Sequence, residues 1–342
     1  MKIIIDAMGG DNAPLEIVRG AINAHEEFGV DISLVGQGVR ILECMRDMGV
    51  ENLPKGVEIV DAPEILTAED DINAVVKTKK DSSMAVALRL LKEGAGDAMI
   101  SAGSTAALMT GATIIVKRVH GIRRAAFAPV IPSKTGCFTL IDCGANLECT
   151  PEYLLQFAYM GSFYMKNNMN YPEPRVAILN IGTERSKGGE LQKKGYDLLE
   201  AASLAGRINF VGNIEAREAM LGGAEVVVCD GFSGNVFLKS IEGAALFFTG
   251  EIKKTFTKNL KTRIAGLLVK KGFTAFKNRF DYREAGGTAI LGIAKPVIKA
   301  HGSSDARTIV STVRQAIEFV RADVAGSIAA NINDIKPDAA EL

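Results

Sequence analysis

Short apolar or β-branched runs alternate with amphipathic stretches from one end of the chain to the other. This alternation is typical of a mostly parallel sheet with helices on both faces, so the pattern predicts an α/β fold. We predict ten strands, namely Lys2–Asp6, Ile32–Val35, Val57–Val60, Ala98–Ser101, Ala126–Ile131, Cys137–Asp142, Arg175–Asn180, Ile208–Val211, Glu225–Cys229 and Pro296–Ala300.

Capping and proline signals indicate where several helices begin. The signals are Pro14 after Asn12, Asp81-Ser82 ahead of Met84–Leu91, Asn213 ahead of Ile214–Leu221, and residues 303–305 ahead of Ile309–Val320. The chain contains no internal repeat, low-complexity block or clear linker. We therefore predict one continuous domain over residues 1–342, a sandwich for which a division into two lobes stays open.

Composition narrows the class of protein. The 342 residues are 47% hydrophobic and 23% charged, which suits a globular chain with a large core. Forty basic residues balance forty acidic ones, so the overall charge does not predict a nucleic-acid partner. Five cysteines without CxxC spacing indicate neither a disulfide framework nor a zinc site, and they favour a reducing cytoplasm.

The sequence also lacks membrane-targeting patterns. An acidic residue, Asp6, follows only three consecutive isoleucines, which is too short for the apolar region of a signal peptide. The longest uncharged stretch, Ala98–Val116, holds several serine, threonine and glycine residues. We therefore expect a strand, a turn and a buried helix there and predict no transmembrane helix.

One segment concentrates the basic charge. Residues 252–280 hold nine basic residues and no acidic one, which leaves 31 basic against 40 acidic residues elsewhere. Apolar positions at helical spacing on either side of Gly272 predict two short amphipathic helices. These positions are Phe256, Leu260, Ile264, Leu267 and Leu268, followed by Phe273, Phe276 and Phe280. Two interpretations remain, a core-packed helix with a solvated cationic face, and contact with an anionic membrane or an acidic protein.

Five predicted strands exit into loops that combine glycine with hydroxyl, amide or acidic groups. In an open parallel sheet, ligands bind beyond the carboxyl ends of the strands. The loops are residues 6–14, 101–105, 142–146, 180–189 and 230–235. Gly103-Ser104-Thr105 at a helix start is a candidate phosphate cradle, although a tight turn alone would also favour glycine.

Several familiar signatures do not fit. Gly36–Ile41 lacks the third glycine of a dinucleotide fingerprint, no Walker A sequence is present, and Asn235 replaces the second glycine of a nucleophile elbow. The spacing of Cys137, Cys143 and Cys149 matches no common metal pattern, so we expect no metal. Among three histidines, His301 has a site-like position between a strand and a helix, where capping is the alternative.

Residues 5–14, 101–105, 230–235 and 300–304 resemble the PlsX family of bacterial phosphate acyltransferases, and the resemblance runs over essentially the whole chain. It implies transfer of a fatty acyl group from acyl carrier protein to inorganic phosphate, which gives acyl phosphate for a glycerol-3-phosphate acyltransferase of phospholipid synthesis. It further implies a homodimer with no cofactor, loosely attached to the inner face of the cell membrane. The implied fold is a three-layer α/β/α sandwich like phosphotransacetylase and isocitrate dehydrogenase, and residues 252–280 correspond to a protruding helical element.

This chemistry needs placement and charge stabilisation more than a covalent triad. Phosphate is already an oxyanion nucleophile, and a thiolate, with a thiol pKa of about 8.5, is a tolerable leaving group. We expect Lys187 to face phosphate or the developing oxyanion and Asn235 to donate a neutral hydrogen bond, with a solvated lysine and a helix cap as the structural alternatives. The further candidates are Asp230 and His301 for catalysis, Ser101, Gly103, Ser104 and Thr105 for phosphate, and Asp6, Gly9, Gly10, Asp11, Asn146 and Ser233 as supports.

The basic segment offers contacts for the membrane or the carrier protein. Its apolar residues would enter the membrane interface while its lysines meet anionic headgroups, each worth about 1 kcal/mol. These residues are Lys258, Leu260, Lys261, Ile264, Leu267, Leu268, Lys270 and Lys271. The competing functions are a short-chain acyltransferase that uses coenzyme A thioesters, a noncatalytic lipid-synthesis scaffold and, third, a decarboxylating dehydrogenase, whose metal-binding aspartate cluster is not evident.

Overall fold

The computed structural model describes residues 1–67, 69–279 and 286–335. The strands are β1 (Lys2–Asp6), β2 (Asp31–Gly36), β3 (Val57–Asp61), β4 (Ala98–Ser101), β5 (Ala126–Ala128), β6 (Val130–Ser133), β7 (Gly136–Ile141), β8 (Arg175–Leu179), β9 (Asn209–Ile214), β10 (Val226–Val228), β11 (Thr288–Leu291) and β12 (Val297–Lys299). The helices are α1 (Leu15–Phe28), α2 (Gly38–Asp47), α3 (Ser83–Glu93), α4 (Thr105–Gly111), α5 (Pro151–Asn167), α6 (Glu190–Leu204), α7 (Ala216–Met220), α8 (Gly231–Thr257), α9 (Leu260–Arg279), α10 (Ala306–Ala322), α11 (Val324–Ala330) and α12 (Ile332–Ile335). A π-helical turn, Ala112–Val116, continues α4.

The strands form two sheets. The first has the order β3-β2-β1-β4-β12-β11-β5, and the second has the order β6-β7-β10-β8-β9. Most neighbours run parallel, whereas β11 is antiparallel to both of its neighbours and β6 is antiparallel to β7. The division of the chain into one domain or two lobes stays a prediction.

Helices cover both faces of the first sheet. Ile3 and Ile5 of β1 share one core cluster with Val18 of α1, and Ile4 shares the other cluster with Leu88 of α3. All three isoleucines are fully buried, as expected for a central parallel strand that is covered on both sides. The predicted α/β/α architecture is therefore confirmed.

The strand predicted for residues 126–131 is in fact two strands in different sheets. The chain leaves the first sheet after β5 and enters the second at β6, with Pro129 between them. Proline has no backbone N–H for a sheet ladder, and the Pro129 carbonyl accepts a hydrogen bond from Leu140 N at 3.1 Å. This crossing brings the edges of the two sheets together.

Two other predictions need correction. Asn213 does not begin a helix but lies within β9, where its side chain donates to the Glu184 carbonyl at 2.8 Å. The following helix, α7, begins at Ala216. Strand β11 was not predicted, because its four residues lie between Gly287 and Gly292 and show no clear alternation.

Two helices cover the basic segment, but their limits differ from the prediction. The first is the end of α8, and the break lies at Lys258–Asn259, not at Gly272. Asn259 caps the amino end of α9, because its side-chain oxygen accepts from Thr262 N at 3.0 Å. Phe280 and the side chain of Phe276 lie outside the described part of the chain.

The apolar side of α9 is exposed in the single chain. Leu267 is 70% exposed and Leu268 is 83% exposed, which contradicts the interpretation as a core-packed helix. Helix α9 packs against α8, where Gly266 lies close to the Phe256 ring. Within residues 1–67, 69–279 and 286–335, no helix combines the length and the apolar character needed to cross a bilayer.

Candidate active site

Three polar side chains form a row across the carboxyl edge of the first sheet. Asp6 pairs in register with Ser101, and Ser101 pairs with Lys299 on the other side. Ser101 Oγ donates to Asp6 Oδ2 at 2.6 Å and accepts from Gly103 N at 3.0 Å. The hydroxyl of Ser101 is therefore engaged inside the protein, and burial raises the pKa of Asp6.

The loops beyond β1, β4 and β12 fit closely against one another. A Cβ at Gly9 would lie 2.6 Å from Asp6 Oδ2 and 2.7 Å from Gly103 N, so only glycine fits there. Gly10 has a φ of +107°, and Asp11 N donates to the Gly302 carbonyl at 2.8 Å. These residues hold the three loops in fixed relative positions.

A cavity of about 330 Å³ lies where this edge meets the start of α8. Thr105, Asn235 and His301 from the predicted set line it, and so does Lys299. Ser104 precedes Thr105 and caps α4, accepting a long hydrogen bond from Ala107 N at 3.4 Å. The cavity thus brings together residues that are far apart in sequence and belong to both sheets' exit loops.

His301 stands at the mouth of the cavity with its ring oriented by Ser303. Ser303 N donates to His301 Nδ1 at 3.3 Å, and Ser303 Oγ lies 2.9 Å from the same nitrogen. Burial, together with the charges of Lys239 and Lys299, lowers the pKa of the imidazole. At neutral pH the ring is uncharged, and it carries its proton on Nε2 because Nδ1 accepts.

The junction between the sheets is organised by a buried carboxylate, Asp142. Its Oδ1 accepts from Phe127 N at 2.9 Å and Cys143 N at 2.7 Å, and its Oδ2 accepts from Asn146 N at 2.6 Å and Asn146 Nδ2 at 3.0 Å. Burial raises the pKa of Asp142 to about 6, although the hydrogen bonds from these donors favour the carboxylate and lower the pKa. Since Phe127 belongs to β5, this side chain joins the first sheet to the second.

Helix α8 begins directly above Asp142. A Cβ at Gly231 would lie 2.6 Å from the Asn146 carbonyl oxygen and 2.7 Å from Asp142 Oδ2, so only glycine fits at the first residue of the helix. Asp230 caps the helix, accepting from Ser233 N at 2.8 Å and Ser233 Oγ at 2.9 Å. Asn235 follows within the first turns, exposed on the cavity side and facing Gly144. The cap role predicted as an alternative for Asn235 belongs to Asp230.

Lys187 lies in the exposed loop after β8. Its backbone N–H donates to the Glu184 carbonyl at 3.0 Å, and its carbonyl accepts from Asn180 Nδ2 at 3.1 Å. Strand β8 is next to β10 in the sheet, so this loop neighbours the start of α8. The side chain is exposed and is not part of the cavity lining.

Two buried charged residues near the cavity, Lys299 and Asp142, were not among the predicted site residues. Lys299 falls within the predicted strand Pro296–Ala300, and Asp142 ends the predicted strand Cys137–Asp142 and begins the loop 142–146. Their signal is a charged residue at the end of an otherwise apolar strand, at the sheet edge where ligands bind.

Comparison with solved structures identifies the class of fold. The chain superposes on a phosphotransacetylase from Streptococcus pyogenes with a TM-score of 0.65, at 19% identity and with 94% of each chain covered. It also superposes on a branched-chain phosphotransacylase from Enterococcus faecalis with a TM-score of 0.56, at 15% identity, covering 94% of this chain and 99% of the other. The fold is thus of the phosphotransacetylase type.

Sequence comparison is more specific. The family described as "Fatty acid synthesis protein" matches residues 1–327. A phosphate acyltransferase from Thermoanaerobacterium thermosaccharolyticum is 42% identical over 338 residues, covering 99% of this chain and 98% of its own. One from Oceanobacillus iheyensis is 43% identical over 336 residues, covering 98% of each. The chain belongs to this family of phosphate acyltransferases and is an acyltransferase of lipid synthesis.

Proposed function

We propose that the enzyme transfers a long-chain fatty acyl group from the thioester of acyl carrier protein to inorganic phosphate. A phosphate oxygen attacks the thioester carbon, the C–S bond breaks, and the carrier leaves as a thiolate that takes up a proton. The observation that carries the proposal is the cavity lined by Thr105, Asn235, His301 and Lys299. It offers hydrogen-bond donors and a cation to the anionic nucleophile and to the oxyanion that forms at the carbonyl.

The proposed polar groups act on the oxyanion, on the phosphate or on the position of other groups. The Asn235 amide donates to the developing oxyanion, and neutral His301 offers its Nε2 proton to the same region. Asp230 acts through α8, because its cap fixes the first turn of this helix, and Asn235 follows that turn directly. Lys187, in the loop after β8 beside the start of α8, is assigned as the cation that faces phosphate or the developing oxyanion. Phosphate lies beside Thr105, at the end of the loop formed by Ser101, Gly103 and Ser104.

The direct test is formation of acyl phosphate by the purified enzyme. Hexadecanoyl carrier protein and inorganic phosphate are incubated with the enzyme, and hydroxylamine traps the acyl phosphate. Phosphate-dependent product with the carrier thioester, and little with short coenzyme A thioesters, supports the proposal. The opposite preference supports the short-chain alternative. Absence of product with either thioester would contradict the proposal and favour a noncatalytic scaffold, or a dehydrogenase if the protein also binds NAD.

We assign the acyl chain to an apolar groove between α7 and α8, of about 770 Å³. Its lining includes Met220, Phe232, Val236, Phe237, Ile241, Ala244 and Phe248. From Phe232 to Phe248, the helix extends about 24 Å, the length scale of an extended long-chain acyl group. Ile241 and Ala245 line both the groove and the polar cavity, so a thioester at their meeting point would reach both. The groove is lined by residues 216–249 and therefore lies before the basic segment, residues 252–280.

Filling the groove is expected to shorten the preferred acyl chain. Ala244→Trp lowers kcat/KM for hexadecanoyl carrier protein about tenfold, equivalent to roughly two buried methylene groups, and leaves octanoyl carrier protein unaffected. Leu246→Trp is the matched control, because Leu246 is 75% exposed on the same helix and does not line the groove. An equal loss for both chain lengths would contradict the assignment.

We propose that α9 attaches the enzyme peripherally to the inner face of the membrane and that its basic face also receives the acidic carrier protein. Support comes from its exposed leucines beside lysines such as Lys270 and Lys271. A homodimer would present two such helices, and membrane attachment would deliver acyl phosphate close to a glycerol-3-phosphate acyltransferase that consumes it.

Membrane attachment is expected to depend on the exposed leucines Leu267 and Leu268 of α9. The double variant Leu267→Asp and Leu268→Asp lowers flotation with phosphatidylglycerol vesicles at least about tenfold, because burying each leucine contributes about 1.5–3 kcal/mol. Leu204→Asp serves as control, since Leu204 is 85% exposed at the end of α6. If the double variant floats like the control, attachment lies elsewhere.

A further inference from the structure

Lys299 is a buried cation at the edge of the first sheet. It ends β12, its residue is 9% exposed, and it stands in the row that contains Asp6 and Ser101. Its Nζ donates to the Ala102 carbonyl at 3.3 Å and to the Ala300 carbonyl. These two carbonyls use two of the three ammonium N–H groups, and the side chain lines the polar cavity.

The ammonium has no close ion-pair partner among the described residues. No Asp or Glu oxygen of residues 1–67, 69–279 and 286–335 lies within 4.0 Å of Lys299 Nζ. Asp6, the acid in the same row, accepts instead from Ser101. A lysine is rarely buried without a partner, because removing an ammonium from water is costly. An anion in the cavity would supply the missing partner.

We propose that Lys299 binds the inorganic phosphate substrate in this cavity and holds it against the sheet edge for attack on the thioester. The inference rests on the proposed function and assigns the cation of this cavity specifically to the phosphate substrate. The position suits an anion better than the acyl chain, since the apolar groove lies on the other side of Ile241 and Ala245. Thr105 lines the same cavity and offers its hydroxyl to the phosphate.

The charge on Lys299 depends on its whole surroundings. Burial lowers its pKa to about 8, while Asp6 and Asp11 in the β1 loop raise it. His301 from the adjoining loop, and Lys239 and Glu242 from α8, also line the cavity. Lys299 is charged below its pKa, so kcat/KM for phosphate should fall as the pH rises above about 8, and kcat/KM reports the free enzyme.

Steady-state kinetics of three variants test the assignment. Lys299→Met removes the charge at similar size, Lys299→Arg keeps it, and Lys295→Met changes a lysine near the opposite end of β12. We expect Lys299→Met to raise the KM for phosphate at least about tenfold with little change in the KM for acyl carrier protein. Lys299→Arg should recover part of the affinity and move the alkaline fall to higher pH, and Lys295→Met should match the wild type.

The other outcomes are distinct. An unchanged KM for phosphate in Lys299→Met, or equal losses for both substrates, overturns the assignment while the wild-type activity still stands. If Lys299→Met fails to fold, Lys299→Arg provides the test. An unchanged pH for the alkaline fall of kcat/KM for phosphate in that variant also overturns the assignment. Failure of the proposed function itself would appear as no acyl phosphate from the wild type.

Discussion

Asn235→Ala is expected to lower kcat at least about a hundredfold without changing Tm. One well-placed donor to a developing oxyanion contributes about 3–4 kcal/mol to the transition state. Asn235 is exposed in the first turns of α8, so its removal leaves no buried group unpaired and the fold should stand. The measurement is acyl phosphate formation at saturating phosphate and carrier thioester, together with thermal unfolding.

An acidic variant of the same size and a control asparagine elsewhere test whether the amide of Asn235 itself is needed. Asn235→Asp keeps the size of the side chain but places an anion beside the phosphate, so its kcat should fall at least as far. Asn209→Ala removes an exposed asparagine at the amino end of β9, away from the strand exits, and should retain full activity. A kcat for Asn235→Ala within threefold of the wild type would remove this residue from the proposed mechanism.

The order of elements was largely predictable because buried parallel strands are continuous apolar runs. Lys2–Asp6 and Ala98–Ser101 have the limits that the pattern predicts. The run 126–131 shows where local pattern fails, because the pattern reports burial and not which sheet a strand joins. Pairing is decided by contacts distant in sequence, such as Ala128 of β5 with Ala289 of β11.

The location of the site was predictable, but the direction of each side chain was not. The rule for strand exits selected the edge of the sheet at which the cavity lies, and it included Thr105, Asn235 and His301, which line that cavity. Ser101 has the residue type of a phosphate ligand, yet its hydroxyl turns inward to Asp6. Lys299 falls within the predicted strand Pro296–Ala300 without any sequence signal of burial, and only the three-dimensional packing makes it a buried cation.

Asp142→Ala is expected to lower the free energy of unfolding by about 3–5 kcal/mol, because it removes one acceptor from several buried donors. The donors come from Phe127, Cys143 and Asn146, so the loss loosens the junction between the sheets and the support of α8. Chemical denaturation measures the effect. Since burial raises the pKa of Asp142 to about 6, the folded protein holds its proton more tightly than the unfolded chain. The advantage of the wild type over the variant should therefore grow as the pH falls from 7 to 5.

Asp230→Ala provides the matched comparison, because Asp230 is partly buried and caps the amino end of the same helix, α8. Loss of a cap costs about 1 kcal/mol, so this variant should be clearly more stable than Asp142→Ala. Both substitutions disturb the first turn of α8, and both should lower activity through the position of Asn235. Only the Asp142 variant should also weaken the link to β5, because Phe127 N donates to Asp142. Equal stabilities for the two variants would mean that the buried carboxylate does not hold the sheets together.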